Sequence, residues 1–269
     1  MRMIVDSNQL QSPRLKKFLE VSTSNRAILT DYVAMEALQG DPVKSIINAM
    51  SIVESYPKQI IILKTTQSIC QLSGRASGLQ RRLIDTSQTS GFSEYIRKVK
   101  LAKMGYPPII HEISNMAKNA TSQLDRMLID AAAVAQIFDD FSIGFNKDER
   151  RIIRDGEPFT MKMLDTLIKS VIEVSGEILR SHPKAPKSVT YEQLPNTFIF
   201  RNSLCCSLLA LEWAAIGGAK GANSHKIRND MIDAQFAAYA TYFDGLLSND
   251  AKALRTYKRA KEILKAAFG

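Results

Sequence analysis

The sequence predicts an α/β fold in which a parallel sheet flanked by helices is combined with a largely α-helical insertion. Three observations carry that expectation. The first 65 residues alternate short apolar runs with amphipathic stretches, in the order strand, helix, strand, helix, strand that marks a parallel sheet with helices on its faces. The middle of the chain has helical periodicity without strand alternation. A strand-like run then returns only near the C terminus, in "GLLSND".

Met3 to Val5 reads as a short buried strand that ends abruptly on Asp6. Ser12-Pro13 pairs an N-cap with a proline at the first helical position, predicting a helix through about Val21. Ala27 to Leu29 is a second short strand, followed by a helix from about Asp31 to Leu38. Asp41-Pro42 opens a third helix, in which Val43, Ile46, Ile47, Met50 and Val53 recur at helical spacing. Pro57 ends it, and "QIIIL" (Gln59 to Leu63) is the clearest strand in the chain.

From about Thr65 to Pro195 the pattern is helical, with long amphipathic stretches at His111 to Phe138 and Phe159 to Leu179. Leu204 to Ala219 is the most apolar segment. It carries Glu212 and is shorter than the roughly 20 residues a membrane span needs, so it predicts a buried helix with Trp213 in the core. A helix from about Asn229 to Tyr242 leads into the last strand. A basic amphipathic helix follows, with Leu254, Tyr257, Ile263 and Leu264 on its apolar side. The expected organisation is a discontinuous α/β core, residues 1–65 and 200–269, around a helical insertion at 66–199.

Thirty-six Lys and Arg against 27 Asp and Glu give a net charge of +9. That excess favours a polyanionic partner, although a generally solvated basic surface explains it equally well. Cys70, Cys205 and Cys206 form no metal-ligand spacing and no disulfide framework, which agrees with a cytoplasmic setting. The N terminus lacks the basic and apolar regions of a targeting signal. His111, His182 and His225 have no metal-like spacing.

The acidic residues are better placed. Asp6 lies at the carboxyl end of the first strand and Asp250 just past the last, and ligands of open parallel sheets bind beyond those ends. Glu36 lies within two turns of the start of the helix after the second strand. Asp230 and Asp233 are three apart near a helix start, on one face. Carboxylates converging on one place repel each other unless a cation is present, and hard divalent cations take oxygen ligands of this kind. Each acid also has a plain structural explanation, because acids near a helix start complement its dipole and Asp250 can cap the final helix.

"MIVDSN", "ILTDYVAMEAL", "NDMIDAQFAAYA" and "GLLSND" resemble, in that order, the acidic motifs of the PIN domain family, metal-dependent nucleases that mostly cut RNA. The resemblance covers two blocks, near residues 1–65 and 200–269, and implies a PIN-like parallel sheet. It implies that Asp6, Glu36, Asp233 and Asp250 are the catalytic carboxylates and hold one or two Mg²⁺ or Mn²⁺ ions. Asp230 is either an added ligand or the alternative to Asp233. Asn8 and Ser248 would support the ligands from behind. Typical PIN domains are shorter and continuous, so the helical middle departs from the family pattern.

For substrate contact the candidates are Arg75, Arg81, Arg82, Arg201, Lys220, Lys226 and Arg228, which could track a phosphate backbone. The expected activity is metal-dependent hydrolysis of phosphodiesters in RNA or single-stranded DNA, with no membrane partner; a homodimer or an inhibitory protein partner stays open. Two other readings stand beside it. One is a catalytically inactive PIN-like protein that binds nucleic acid or acts as a scaffold. The other is a phosphohydrolase with a strand-end Asp nucleophile, against which stands Asn8, where such enzymes carry a second Asp.

Overall fold

A computed structural model describes residues 1–269, apart from the side chains of Ala132 and Ser142. Four short strands, β1 (Arg2–Val5), β2 (Arg26–Leu29), β3 (Ile60–Ile62) and β4 (Gly245–Leu247), form one parallel sheet in the order β3-β2-β1-β4. The helices are α1 (Pro13–Val21), α2 (Asp31–Glu36), α3 (Pro42–Met50), α4 (Thr66–Cys70), α5 (Leu79–Leu83) and α6 (Thr86–Lys103). They continue with α7 (Pro107–Ser142), α8 (Lys147–Asp155), α9 (Met161–Ser181), α10 (Phe198–Ala215), α11 (Ser224–Ala240) and α12 (Ala251–Phe268). The chain is thus an α/β protein, 68% helical, with an all-parallel sheet flanked by helices.

Packing divides the chain into two compact units. The first comprises Met1–Ile69, Gln80–Arg126 and Phe243–Ala251, and holds the whole sheet. Ile4 pairs with Ile28 on one side and Leu246 on the other, and Ile28 pairs with Ile61. These strands are buried or partly buried along both faces, so they read as continuous apolar runs rather than alternating ones. The chain winds outward from β1 to β2 to β3 and then returns to place β4 on the other side of β1. Strand order therefore reverses between β1 and β4, and open parallel sheets commonly bind ligands outside the carboxyl ends of the strands at such a point.

Local chemistry starts each flanking helix. Ser12 Oγ accepts the N–H of Arg14 at 3.1 Å with Pro13 in the first turn, Thr30 caps α2, and Asp41 caps α3. Leu15 and Leu19 of α1, Ile46 and Met50 of α3, and Phe92, Ile96 and Val99 of α6 face inward. Each such side chain contributes roughly 1.5–3 kcal/mol on burial.

The second unit comprises Cys70–Leu79, Met127–Tyr242 and Lys252–Gly269. Its centre is α10, which packs against α8, α9 and α11. Phe198 of α10 stacks on Tyr239 of α11 at 4.3 Å between ring centroids. Among the described residues α10 is the one helix long and apolar enough to cross a membrane, and 72% of it is buried in this helical packing. Trp213 is buried in it, as expected. Gly74 meets the backbone of Gln193 so closely that a Cβ there would fall 1.7 Å from the Gln193 carbonyl oxygen.

The unit boundaries differ from the expected 1–65 and 200–269 core around a 66–199 insertion. Helix α6 and the start of α7 group with the sheet, because the apolar face of α6 packs on β3 and α3. Helices α10, α11 and α12 group instead with residues 127–199, through the contacts of α10 with α8, α9 and α11. Helix α11 also starts earlier than the expected Asn229, at Ser224, with the Asn223 side chain accepting the N–H of His225 at 2.8 Å. Asp230 and Asp233 therefore sit beyond its first turn, where a helix dipole does not account for them.

Candidate active site

The first strand delivers Asp6 to the carboxyl edge of the sheet by continuing the ladder one residue past β1: the Asp6 N–H donates to the Leu247 carbonyl at 2.9 Å. The residue is 3% exposed. Oδ2 accepts two short bonds, from Ser248 Oγ at 2.5 Å and from Asn8 Nδ2 at 2.6 Å. Oδ1 receives only long contacts, from the Asn8 N–H and Ser7 Oγ, each at 3.4 Å.

Both short bonds have their direction set by a further partner. Ser248 Oγ accepts the Asp250 N–H at 2.9 Å, which turns the hydroxyl proton toward Asp6. Asn8 Oδ1 accepts from Gln9 Nε2 at 2.8 Å and from the Asn249 N–H at 3.4 Å, which leaves its amide nitrogen facing Asp6. Burial pushes the Asp6 carboxyl above the usual carboxylate range, and the bonds from Ser248, Asn8 and Ser7 only partly offset it.

Asp250 follows from this bracing. Its backbone is held by Ser248 Oγ, and it stands immediately before α12. Glu36 is the last residue of α2, partly buried, and α2 packs on the 3-10 turn Ser7–Gln9 that carries Asn8. Asp31, which sequence reasoning passed over as only a helix start, lies just beyond β2. Its carboxylate accepts the Thr66 N–H at 2.7 Å, Thr66 Oγ1 at 2.8 Å and the Tyr32 N–H at 3.1 Å. Burial raises its pKa as well. With both oxygens taken, Asp31 braces the β2–α2 turn against the start of α4.

A divalent ion is implied by the motif resemblance, and the residues can be tested for it. Asp6 presents one oxygen that is tightly held and one that has only long contacts. Mg²⁺ keeps several waters and commonly takes one or two carboxylates together with substrate phosphates. Asp6 offers one such carboxylate oxygen, and the Asp250 backbone is held by the same Ser248 that braces it. Among the described residues no three His, Cys, Asp or Glu side chains form a group that could hold a metal ion. Of the four expected carboxylates, Asp6, Glu36 and Asp250 belong to the first unit and Asp233 to the second.

Asp230 and Asp233 belong to the second unit. There Asp230 accepts a 2.6 Å bond from Lys252 Nζ, with both side chains largely buried, and Lys252 also lies 5.2 Å from the Trp213 ring centroid. A metal at Asp230 would have to compete with that ammonium. Asp233 is partly buried one turn further on.

The expected nucleic-acid contacts are unequal. Arg201 is committed internally, donating to the carbonyls of Pro195 and Thr241, to Thr241 Oγ1 and to Asn196 Oδ1 at 2.9–3.2 Å. Its guanidinium also stacks on Tyr242 at 3.9 Å. Lys226 lies 4.7 Å from the Trp213 ring centroid, and Arg228 donates to Asn229. Arg75, Arg81 and Lys220 are exposed, and Arg82 is partly buried. One cation that the motifs did not single out is hydrogen-bonded to the Asp6 bracing: Arg14 Nη1 donates to the Ser248 carbonyl at 3.1 Å. Its signal in the sequence was position alone, in the first turn of the first helix.

No family model, no curated protein and no solved structure matches the chain.

Proposed function

We propose that this protein is a PIN-like, divalent-metal-dependent endonuclease acting on RNA, with single-stranded DNA as the other substrate class. One observation carries the reading: a buried carboxylate, Asp6, is held by Ser248 and Asn8 where the strand order reverses, in a chain of net charge +9. The motif order supports it, with Glu36 on the helix against the Asn8 turn, Asp250 behind Ser248, and Asp233 or Asp230 assigned by resemblance alone.

In this reading the protein spends its hydrogen bonds on keeping Asp6 ionised and pointed. Ser248 and Asn8 hold Oδ2 against rotation, so Oδ1 keeps one direction. The low-dielectric surroundings that raise the Asp6 pKa also strengthen its attraction to a cation. A bound Mg²⁺ or Mn²⁺ would supply charge neutralisation at a phosphodiester and a more acidic water. Asp250 adds a second carboxylate from the adjacent strand end.

The test is incubation of the purified protein with structured and unstructured RNA, in Mn²⁺ and in EDTA, beside Asp6→Asn. Cleavage in Mn²⁺ that vanishes in EDTA and in the variant is the expected result. RNA that stays intact in every lane yet binds would move the assignment to a nucleic-acid-binding protein. A covalent phosphoenzyme at Asp6 would move it to a phosphohydrolase.

A further inference from the structure

We infer that Arg14 forms a phosphate-binding point beside Asp6, receiving a phosphodiester group of the substrate at the carboxyl ends of β1 and β4. The inference deepens the nuclease reading and rests on it for the source of the phosphate, though not for the anion chemistry itself.

The geometry is built from one loop. Ser248 gives its hydroxyl proton to Asp6 Oδ2 and its carbonyl to Arg14 Nη1, so a single residue sets both the carboxylate and the guanidinium. Arg14 is exposed and has no ion pair among the described residues, although an acidic side chain is braced by the same serine. A guanidinium carries several N–H donors in a planar fork suited to phosphate oxygens, and the carbonyl takes only one of them. The rest stay available on a side chain already anchored, which lowers the entropy lost on binding.

The amides of α1 do not explain an anion here. The N–H of Arg14 is taken by Ser12 Oγ, those of Leu15 and Lys16 by the Ser12 carbonyl, and Pro13 has none. Recognition therefore falls to side chains. Lys17 lies three residues on, exposed and on the same helix face, and would extend the positive track by one turn.

Two arms test this on the full chain. In the first, inorganic pyrophosphate is titrated while the Arg14 side-chain Nε–H resonance is followed, with potassium chloride at matched ionic strength as control. A saturable shift that chloride does not reproduce is expected, and its absence overturns the inference. In the second, RNA affinity is measured against salt in an Asp6→Asn background, which prevents cleavage, with and without Arg14→Gln and Arg14→Lys. Arg14→Gln should weaken binding by roughly threefold to tenfold and make the log–log salt slope shallower by about 0.7, the single-strand value for one lost phosphate contact. Arg14→Lys should recover the slope with less of the affinity. RNA that binds with an unchanged slope overturns the assignment of Arg14 to substrate. A pyrophosphate shift without any RNA binding keeps the anion site and removes the RNA reading, so the two failures are distinguishable.

Discussion

Ser248 Oγ donates a 2.5 Å hydrogen bond to Asp6 Oδ2 across 242 residues of sequence, joining the strand that begins the chain to the strand that comes last. Ser248 is completely buried and Asp6 nearly so, which makes the bond both a structural clasp and the support of the candidate site.

Removing that hydroxyl should therefore be costly. Ser248→Ala leaves a buried carboxylate short of a donor and is expected to lose about 1.5–3 kcal/mol of stability, the range for hydrogen bonds to charged groups. Urea unfolding at neutral pH checks this. A loss below about 0.5 kcal/mol would mean that water replaces the serine.

The pH dependence has a definite sign. Folded Asp6 and Asp31 have carboxyl groups raised above 3.8 by burial, so the folded state holds their protons more tightly than the unfolded chain. Between 3.8 and the raised folded values, stability falls as pH rises, and the full penalty is present above that window. Asp6→Asn removes one of the two titrating groups. Its stability relative to the parent should be greatest near neutral pH and should decline as pH falls through the folded Asp6 value. Parallel denaturation curves with a constant difference at every pH would contradict this.

Divalent ions should act through the same carboxylate. Mn²⁺ is expected to raise the thermal midpoint of the parent protein, by the equivalent of about 2.7 kcal/mol at a hundredfold excess over Kd, and to leave Asp6→Asn unchanged. Differential scanning calorimetry with and without EDTA reads it. An equal shift in both proteins would place the ion elsewhere.

Arg201 should behave as a brace. Arg201→Lys keeps the charge but loses the fork that reaches Pro195, Asn196 and Thr241, leaving carbonyls unpaired, and should cost roughly 2–3 kcal/mol. The salt slope of RNA binding should not change. A reduced slope with unaltered stability would return Arg201 to the substrate contacts.

Gly74→Ala tests the second unit. A methyl group 1.7 Å from the Gln193 carbonyl oxygen cannot be accommodated without moving backbone, so a loss of about 3 kcal/mol or more is expected by calorimetry. A variant melting like the parent would show that this close approach relaxes freely.

The sheet elements were legible because their information is local. Continuous apolar runs at Met3 to Val5, Ala27 to Leu29 and, within Gln59 to Leu63, Ile60 to Leu63 match the parallel strands, and Ser12-Pro13 and Asp41-Pro42 start helices where caps and fixed proline φ angles require. The grouping of helices was not legible, because amphipathicity tells a helix to bury a face without naming the partner. Helix α6 covers β3, and α10 gathers α8, α9 and α11, by packing between residues far apart in sequence.

The same division holds at the candidate site. The sequence by itself determined which side chains stand at the ends of the strands: Asp6 after β1, Asp250 after β4, with Asn8 and Ser248 beside them. Only the tertiary structure decided that Ser248 and Asn8 hold one Asp6 oxygen and leave the other less constrained, that Asp31 is consumed by Thr66, that Arg201 is turned inward and that Arg14 is anchored on Ser248. The physical reason is the short reach of a hydrogen bond. Spacing along the chain brings a charge to the right edge of a sheet, but its partner at 2.5–3.1 Å is set by which distant backbone segment packs there.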